Sequence, residues 1–212
     1  CDLFNESIKY YANILVPFSQ ILRKKLDEVL ALNLPIDIIA TSHGVIWRDN
    51  PMQIVEKYAE WANDYQENQI TIIYDTMWNG TKKLAEKIAE GIGLADSNVV
   101  VKVYNLSKSD ENDLITEVFK SKTLILGSPT ISNSILHSMA GFIQLIKGMK
   151  FKNKKAAAFG CYGWSGEAVK VINGLLKDAG LHIIDDGFRN HWNPNEDQLA
   201  KALEYGKKIA KA

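Results

Sequence analysis

The segment Asp75-Thr-Met-Trp-Asn-Gly-Thr81 combines hydroxyl side chains with an Asn-Gly pair that tolerates positive φ angles. It lies between an apolar run, 70–74, and a stretch of helical spacing, 82–90. A turn that enters a helix offers unpaired N–H groups and the positive end of the helix dipole, so Thr76 and Thr81 could help to bind one phosphate. No lysine or GxGxxG spacing points to a nucleoside triphosphate or a dinucleotide. Taken alone, the loop is more typical of a helix cap at Thr81.

Two further loops carry residues that suit a flat ring. Segment 128–133 reads Ser-Pro-Thr-Ile-Ser-Asn, in which Pro129 fixes the turn and leaves neighbouring amides and hydroxyls to face a heterocycle. Segment 160–166 reads Gly-Cys-Tyr-Gly-Trp-Ser-Gly, and its aromatic rings suit stacking. Each loop alone fits an ordinary turn. Three such loops on one sheet edge indicate a site for a phosphorylated planar ligand.

Apolar runs alternate with helical stretches over most of the chain. The predicted strands are 70–74, 99–104, 122–127, 155–160 and 182–188. Because these runs are nearly continuous in Val, Ile, Leu and Ala, both faces of the sheet should be covered. The pattern predicts an α/β fold with a five-stranded parallel sheet and helices on both faces. Ligands of such sheets bind beyond the carboxyl ends of the strands.

The residues before this sheet follow a different pattern. Apolar residues at spacings of three and four predict an amphipathic helix over 10–32, which Pro17 must kink or restart. Segment 36–40 fits a strand, and Asn50-Pro51 fits a helix start capped by the Asn. The polar segment 65–69 is interpreted as a linker. The predicted domains are therefore 1–64 and 65–212.

Composition narrows the classes of partner. With 25 basic and 25 acidic side chains among 212 residues, the formal charge is zero, which removes the main argument for a nucleic-acid partner. No apolar run approaches the roughly 18 residues needed to cross a bilayer, and no signal peptide is evident. We expect a cytoplasmic protein that binds neither membrane nor nucleic acid. Cys1 and Cys161 form neither a disulfide scaffold nor a zinc pattern.

The loops YDTMWNGT, GSPTISN and GCYGWSGEA resemble the FMN loops of flavodiiron proteins, especially those of flavorubredoxin type. IDIIATSHGVIWRDNP and YYANILVPFSQIL resemble the end of the metallo-β-lactamase-like domain that precedes the flavodoxin-like domain in that family. The resemblance implies an oxidoreductase in which FMN takes electrons from a rubredoxin-type donor. A diiron site then reduces NO to N2O, O2 to water, or both. It also implies a head-to-tail homodimer and an upstream metallo-β-lactamase-like domain.

The resemblance gives each loop a role. The expected phosphate loop comprises Thr76, Met77, Trp78, Asn79, Gly80 and Thr81. One side of the flavin is assigned to Ser128, Pro129, Thr130, Ile131, Ser132 and Asn133. The other side is assigned to Tyr162, Gly163, Trp164, Ser165 and Gly166. No catalytic residue is predicted, because electron transfer through FMN needs no general acid or nucleophile.

The resemblance also assigns His43 as an iron ligand. The family's H-x-E-x-D-H ligand cluster is missing from this sequence. One imidazole cannot hold two irons, so a diiron centre is expected only in the intact protein. We expect this chain by itself to bind FMN and transfer electrons without reducing NO or O2.

Three other functions fit parts of the sequence. A stand-alone flavodoxin-like carrier is usually acidic and would lack the upstream helical segment. A receiver domain would need a phosphoacceptor Asp at the end of strand three, where Gly127-Ser128 stands. An FMN-dependent quinone reductase would lack SHGVIWRDNP.

Overall fold

A computed structural model describes residues 2–212, so Cys1 lies outside the described part. The chain divides into two compact units, one ending at Tyr65 and the other spanning Gln66–Ala212.

The first unit is mainly helical. Its helices are α1 (Asp2–Tyr10), α2 (Ser19–Leu30) and α3 (Met52–Trp61). Between α1 and α2 the chain forms a π-helical turn, Tyr11–Leu15, and a 3-10 turn, Val16–Phe18. The predicted helix over 10–32 is therefore interrupted where Pro17 falls, because proline cannot donate an intrahelical hydrogen bond. The α-helix restarts at Ser19, which is one of the two outcomes predicted for Pro17.

Two local predictions for this unit are wrong. Segment 36–40 is not a strand, since only Ile39 pairs, in one isolated antiparallel bridge with Trp47. No neighbouring strand offers a ladder within the described unit, so the run stays irregular. Asn50 does not cap α3. Its φ angle is 50°, whereas a capping residue needs extended backbone.

Aromatic packing forms the core of the first unit. The ring of Tyr11 is fully buried, with centroids 5.4 Å from Tyr58 and 5.5 Å from Trp61. Large apolar side chains nevertheless remain exposed in this unit: Ile14, Phe18, Ile21, Val29, Leu30, Leu32, Leu34, Ile38, Val45 and Ile46.

The second unit is a parallel sheet with helices on both faces, so the predicted fold class is confirmed. Its strands are β1 (Glu67–Tyr74), β2 (Val100–Asn105), β3 (Ser121–Gly127), β4 (Lys155–Tyr162), β5 (His182–Ile183) and β6 (Phe188–His191). The strand order is β2-β1-β3-β4-β5, and β6 also pairs with β4; every pairing is parallel. The helices are α4 (Gly80–Ala95), α5 (Glu111–Lys120), α6 (His137–Met149), α7 (Ala168–Asp178) and α8 (Glu196–Ala210).

Alternation along the strands divides the core between the two faces. Ile70 and Ile72 of β1 pack with Leu84 and Ile88 of α4 and with residues of α8. Neighbouring residues, such as the buried Ile73, point to the other face. The helices α5, α6 and α7 cover that face. Burial on both faces explains the nearly continuous apolar runs of the sequence.

Two predictions for this unit are corrected. The predicted strand 182–188 is two short strands, because the Asp185 carboxylate accepts the Gly187 amide at 2.7 Å and Gly187 has φ +99°. The predicted linker 65–69 overlaps β1, which begins at Glu67. Its Gln69 is buried and donates to the Ser121 hydroxyl at 3.1 Å, so this polar residue is part of the sheet.

Candidate functional site

A cavity of about 370 Å³ opens at the carboxyl ends of β1, β3, β4 and β6. The order of the strands reverses between β1 and β3, which is where open parallel sheets bind ligands. Residues from the ends of these strands and from the segments that follow them line the cavity: Thr76, Met77, Trp78, Gly80, Thr81, Pro129, Thr130, Cys161, Tyr162, Gly163, Trp164, Trp192 and Asn193.

The loop after β1 is built to receive an anion. Asn79 precedes α4 with φ 61°, and its side chain caps no amide of the described residues. The first intrahelical bond runs from the Lys83 amide to the Asn79 carbonyl at 3.1 Å, so the amides of 80–82 have no partner in the helix. Helical N–H groups and dipole together favour a bound anion at this end of a 16-residue helix.

Thr81 offers the cavity a buried hydroxyl that a ligand could use. The residue is 1% exposed, and among residues 2–212 its hydroxyl finds no nitrogen or oxygen partner. The thiol of Cys161 faces this hydroxyl but is a weak partner. A buried polar atom without a partner costs about 1–3 kcal/mol, which a bound acceptor would relieve. The simple interpretation of this loop as a side-chain helix cap is therefore wrong.

Only some of the residues predicted in the loop after β3 line the cavity. Pro129 and Thr130 line the cavity, and the Thr130 amide donates to the Cys161 carbonyl at 2.9 Å. Thr130 also accepts the Ala168 amide at 3.2 Å, which ties this loop to the start of α7. Ser132 and Asn133, at φ 48° and 56°, form an exposed turn and do not line the cavity.

Other predicted residues support the loops from behind. The buried Ser128 hydroxyl donates to the Pro129 carbonyl and accepts the Leu136 amide, and Ile131 pairs with Ser134. Ser165 donates to Glu167 at 2.8 Å. Gly166 has φ +74°, and a Cβ there would lie 3.1 Å from the Tyr162 ring. Asn79, Ser128, Ile131, Ser165 and Gly166 are outside the cavity lining.

Three tryptophans with exposed rings surround the cavity. Trp78 is 85% exposed, Trp164 90% and Trp192 56%. The rings of Trp164 and Trp192 meet edge to face, with centroids 5.7 Å apart. Leaving such large apolar rings in water is unfavourable, so their grouping around one cavity indicates a flat apolar ligand or a partner surface.

Trp192 and Asn193 also line the cavity, although they follow the last apolar run and lie outside the three loops that the sequence predicts as the site. The run Asn190-His-Trp-Asn-Pro194 carried the signal, namely an aromatic among turn residues after an apolar run. Trp192 has φ 59°, and its amide donates to the Tyr162 carbonyl at 2.8 Å. The side-chain amide of the buried Asn190 donates to the Trp192 carbonyl at 2.9 Å and fixes this turn.

Cys161 lies on the cavity wall beside Gly80, where an added Cβ would be 3.1 Å from its sulfur. Burial raises the pKa of this thiol to about 11, although hydrogen bonds with Thr81 and Asn190 act in the opposite direction. The thiol is therefore neutral at physiological pH. It supplies volume and a weakly polar surface rather than a nucleophile.

The flavodoxin family model matches residues 72–206, which include all four loops of the cavity. The chain belongs to the flavodoxin family. Membership implies FMN as the cofactor of this unit. The residues fit FMN, since a buried hydroxyl whose only partner is a weakly bonding thiol lies with the helical amides at one end of the cavity, and exposed aromatic rings lie at the other.

This flavodoxin-family chain also resembles longer proteins. It is 47% identical over 210 residues to an anaerobic nitric oxide reductase flavorubredoxin of Escherichia coli O1:K1, covering 99% of the chain but 44% of the relative. Rubredoxin oxygen:oxidoreductase from Desulfovibrio gigas matches 96% of the chain with a TM-score of 0.89 at 31% identity, over 51% of its own length. The flavodiiron protein of Giardia intestinalis matches all of the chain with a TM-score of 0.91 at 28% identity, over 53% of its length. The chain thus spans about half the length of these relatives.

Outside the flavodoxin-like unit, His43 is exposed, with its ring 6.0 Å from that of Tyr10. Both line a second cavity of about 390 Å³, together with Asp2 and Glu6. Among residues 2–212, no three His, Cys, Asp or Glu side chains gather closely enough to hold a metal ion. No helix in the described part is long and apolar enough to span a membrane.

Proposed function

We propose that this chain is the FMN-binding, electron-transferring part of a flavodiiron oxidoreductase. The observation that carries the proposal is a cavity at the switch point of the sheet, with an anion-binding turn at one end and exposed tryptophans at the other. When bound, FMN would supply the one- and two-electron chemistry. The protein's part is to bind, orient and shield it.

Residues at the two ends of the cavity would bind different parts of FMN. The amides that begin α4 and the hydroxyl of Thr81 would receive the phosphate. Trp78 and Trp164 would cover the ring and exclude water from it. Gly163 leaves room for the Trp192 ring, because a Cβ at this position would lie 3.1 Å from that ring. Of the predicted set, Met77, Pro129, Thr130 and Tyr162 complete the proposed wall.

For the intact protein we propose reduction of NO to N2O, of O2 to water, or of both, with electrons from a rubredoxin-type donor. The similarity to an anaerobic nitric oxide reductase flavorubredoxin and to a rubredoxin oxygen:oxidoreductase supports this assignment. The relatives are about twice as long as this chain.

The remaining partners belong to the same proposal. The unit ending at Tyr65 would be the end of a metallo-β-lactamase-like domain, and His43 would be one iron ligand of a diiron centre in the intact protein. Other ligands would come from an upstream part of that domain. The intact protein would act as a head-to-tail homodimer in the cytoplasm.

Titration of the full chain with FMN tests the central claim. We expect uptake of about one equivalent with quenched flavin fluorescence, and bleaching and recovery of the visible spectrum on photoreduction and exposure to air. Trp164→Ala should weaken binding about tenfold or more, since stacking on an aromatic ring contributes about 1–3 kcal/mol. Leu94→Ala, which removes another exposed apolar side chain of the same unit, is the matched control and should have no effect.

A chain that takes up no FMN would overturn the assignment. A separate assay addresses the chemistry of the whole enzyme: the FMN-loaded chain, reduced under argon and stripped of iron, should consume NO only slowly. Rapid NO consumption by that sample would show that no diiron centre is needed and would favour a different enzyme.

A further inference from the structure

A buried carboxylate lies behind the phosphate loop, and the cavity lining does not include it. Asp75 ends the buried run of β1 and is 5% exposed. Its amide donates to the Gly127 carbonyl at 2.9 Å, which extends the pairing of β1 with β3 by one residue. The side chain is therefore held at the base of the loop that starts with Thr76.

Three donors satisfy this carboxylate. Oδ1 accepts the Thr76 amide at 2.9 Å. Oδ2 accepts the Ser138 hydroxyl of α6 at 2.6 Å and also the hydroxyl of Ser107, which lies in the turn after β2. Hydrogen bonds to a charged acceptor are about twice as strong as neutral ones. Asp75 thus connects the first residue of the phosphate loop to two other elements.

The backbone amides of the loop 76–81 therefore differ in whether they can bind a ligand. The Thr76 amide points back at Asp75 and is already paired, so it is not a donor for a ligand. The Thr76 residue still lines the cavity, and the free amides lie at 80–82, after the left-handed Asn79. Fixing the first residue of the loop limits the conformations available to the residues between it and α4. A loop already held in its binding conformation loses less entropy when the ligand binds.

We propose that Asp75 is a positioning residue that holds the loop 76–81 in its phosphate-binding conformation and so sets the preference for FMN over unphosphorylated flavin. The inference rests on the proposed function. Asp75 acts through the backbone of Thr76, and the hydroxyls of Ser107 and Ser138 hold its carboxylate in place.

The test compares two ligands that differ only in the phosphate. Dissociation constants for FMN and riboflavin are measured by fluorescence titration of the full chain and its variants. Asp75→Ala should weaken FMN at least tenfold and leave riboflavin within twofold. Asp75→Asn keeps an oxygen acceptor for the Thr76 amide and should restore most of the FMN affinity. A general loss of structure would weaken both flavins equally.

Variants of the supporting hydroxyls keep the test decisive if Asp75→Ala fails to fold. Ser138→Ala should weaken FMN about threefold without affecting riboflavin. Ser109→Ala is the matched control, because the Ser109 hydroxyl donates to the Asn105 carbonyl at 2.9 Å in the same region without contacting Asp75. It should change neither constant.

The outcomes separate the two proposals. A wild-type chain that binds neither flavin overturns the proposed function and this inference with it. A wild-type chain that binds FMN tightly, with Asp75 and Ser138 variants that lose FMN and riboflavin in equal measure or lose neither, overturns the inference alone.

Discussion

At the residue scale, Cys161 shows how burial determines the chemistry of one side chain. Burial raises the pKa of its thiol from 9.0 to about 11, against the opposing hydrogen bonds of Thr81 and Asn190. Only the thiolate is nucleophilic, so the reactive fraction at pH 8 should be about a hundredth of that of an ordinary thiol. The rate of alkylation should rise about tenfold per pH unit up to about pH 11.

Iodoacetamide labelling, followed by mass spectrometry of the peptide that contains Cys161, measures this rate. Glutathione is the reference thiol, and peptide mapping separates the signal from that of Cys1. FMN should slow the labelling further, because Cys161 lines the cavity. Alkylation at pH 8 as fast as that of glutathione would contradict a neutral, half-buried thiol.

Sequence reasoning found some site residues and missed others for a physical reason. Tyr162 and Trp164 stand directly after an apolar strand, and this local pattern predicted a ring-binding loop. Trp192 joins them only through non-local contacts, an edge-to-face contact with the Trp164 ring and a hydrogen bond from its backbone amide to the Tyr162 carbonyl. The Asp75 carboxylate is likewise held by the hydroxyls of Ser107 and Ser138, which are 32 and 63 residues away along the chain. No local pattern encodes such contacts.

At the element scale, the helical spacing of 82–90 predicted a helix, and the structure shows why α4 has a glycine at position 91. A Cβ on Gly91 would lie 2.0 Å from the Leu203 carbonyl oxygen of α8, and one on Gly206 would lie 2.1 Å from the Ile88 carbonyl oxygen of α4. The two helices therefore pack with backbone close to backbone. The periodic pattern of the sequence predicts each helix separately. The close packing of α4 on α8 depends on glycines in both helices, which the pattern of one helix does not show.

Gly91→Ala should lower the free energy of unfolding by about 1–3 kcal/mol, since the methyl group would force α4 and α8 apart. Gly93→Ala, two residues further along α4 with open space around its position, is the matched control. It should raise stability by about 0.5–1 kcal/mol through helix propensity. Urea unfolding followed by circular dichroism measures both changes. Equal effects of the two substitutions would exclude tight packing at Gly91.

The two poorly predicted strands differ in their cause. Segment 182–188 has the composition of a strand, yet the side chain of Asp185 binds the Gly187 amide and the Lys208 ammonium, which opens a turn in its middle. Segment 36–40 is apolar but finds no neighbouring strand within the described part of its unit. Strand formation depends on partners, and apolar composition alone does not supply them.

At the scale of the whole molecule, the two units differ in how completely they bury apolar surface. The second unit holds the sheet, both layers of helices and every residue that lines the proposed FMN cavity. The first unit has a small aromatic core and leaves many large apolar side chains in water. Contiguous exposed apolar surface promotes association. The binding function and the tendency to associate should therefore be separable.

A fragment spanning 66–212 should fold, remain monomeric and bind FMN within about twofold of the full chain, because β1 begins at Glu67 and the cavity belongs to this unit. The full 212-residue chain should associate more strongly at the same concentration. Light scattering coupled to size exclusion measures the mass of each, and the same fluorescence titration measures FMN binding.

In the full chain, Ile21→Lys and Leu32→Lys, which replace exposed apolar residues, should reduce association and leave FMN affinity unchanged. A fragment that unfolds, or that binds FMN more than tenfold more weakly, would show that the first unit stabilises the site. Equal association of the fragment and the full chain would instead show that the flavodoxin-like unit carries the associating surface. Its exposed tryptophans would then be the first candidates.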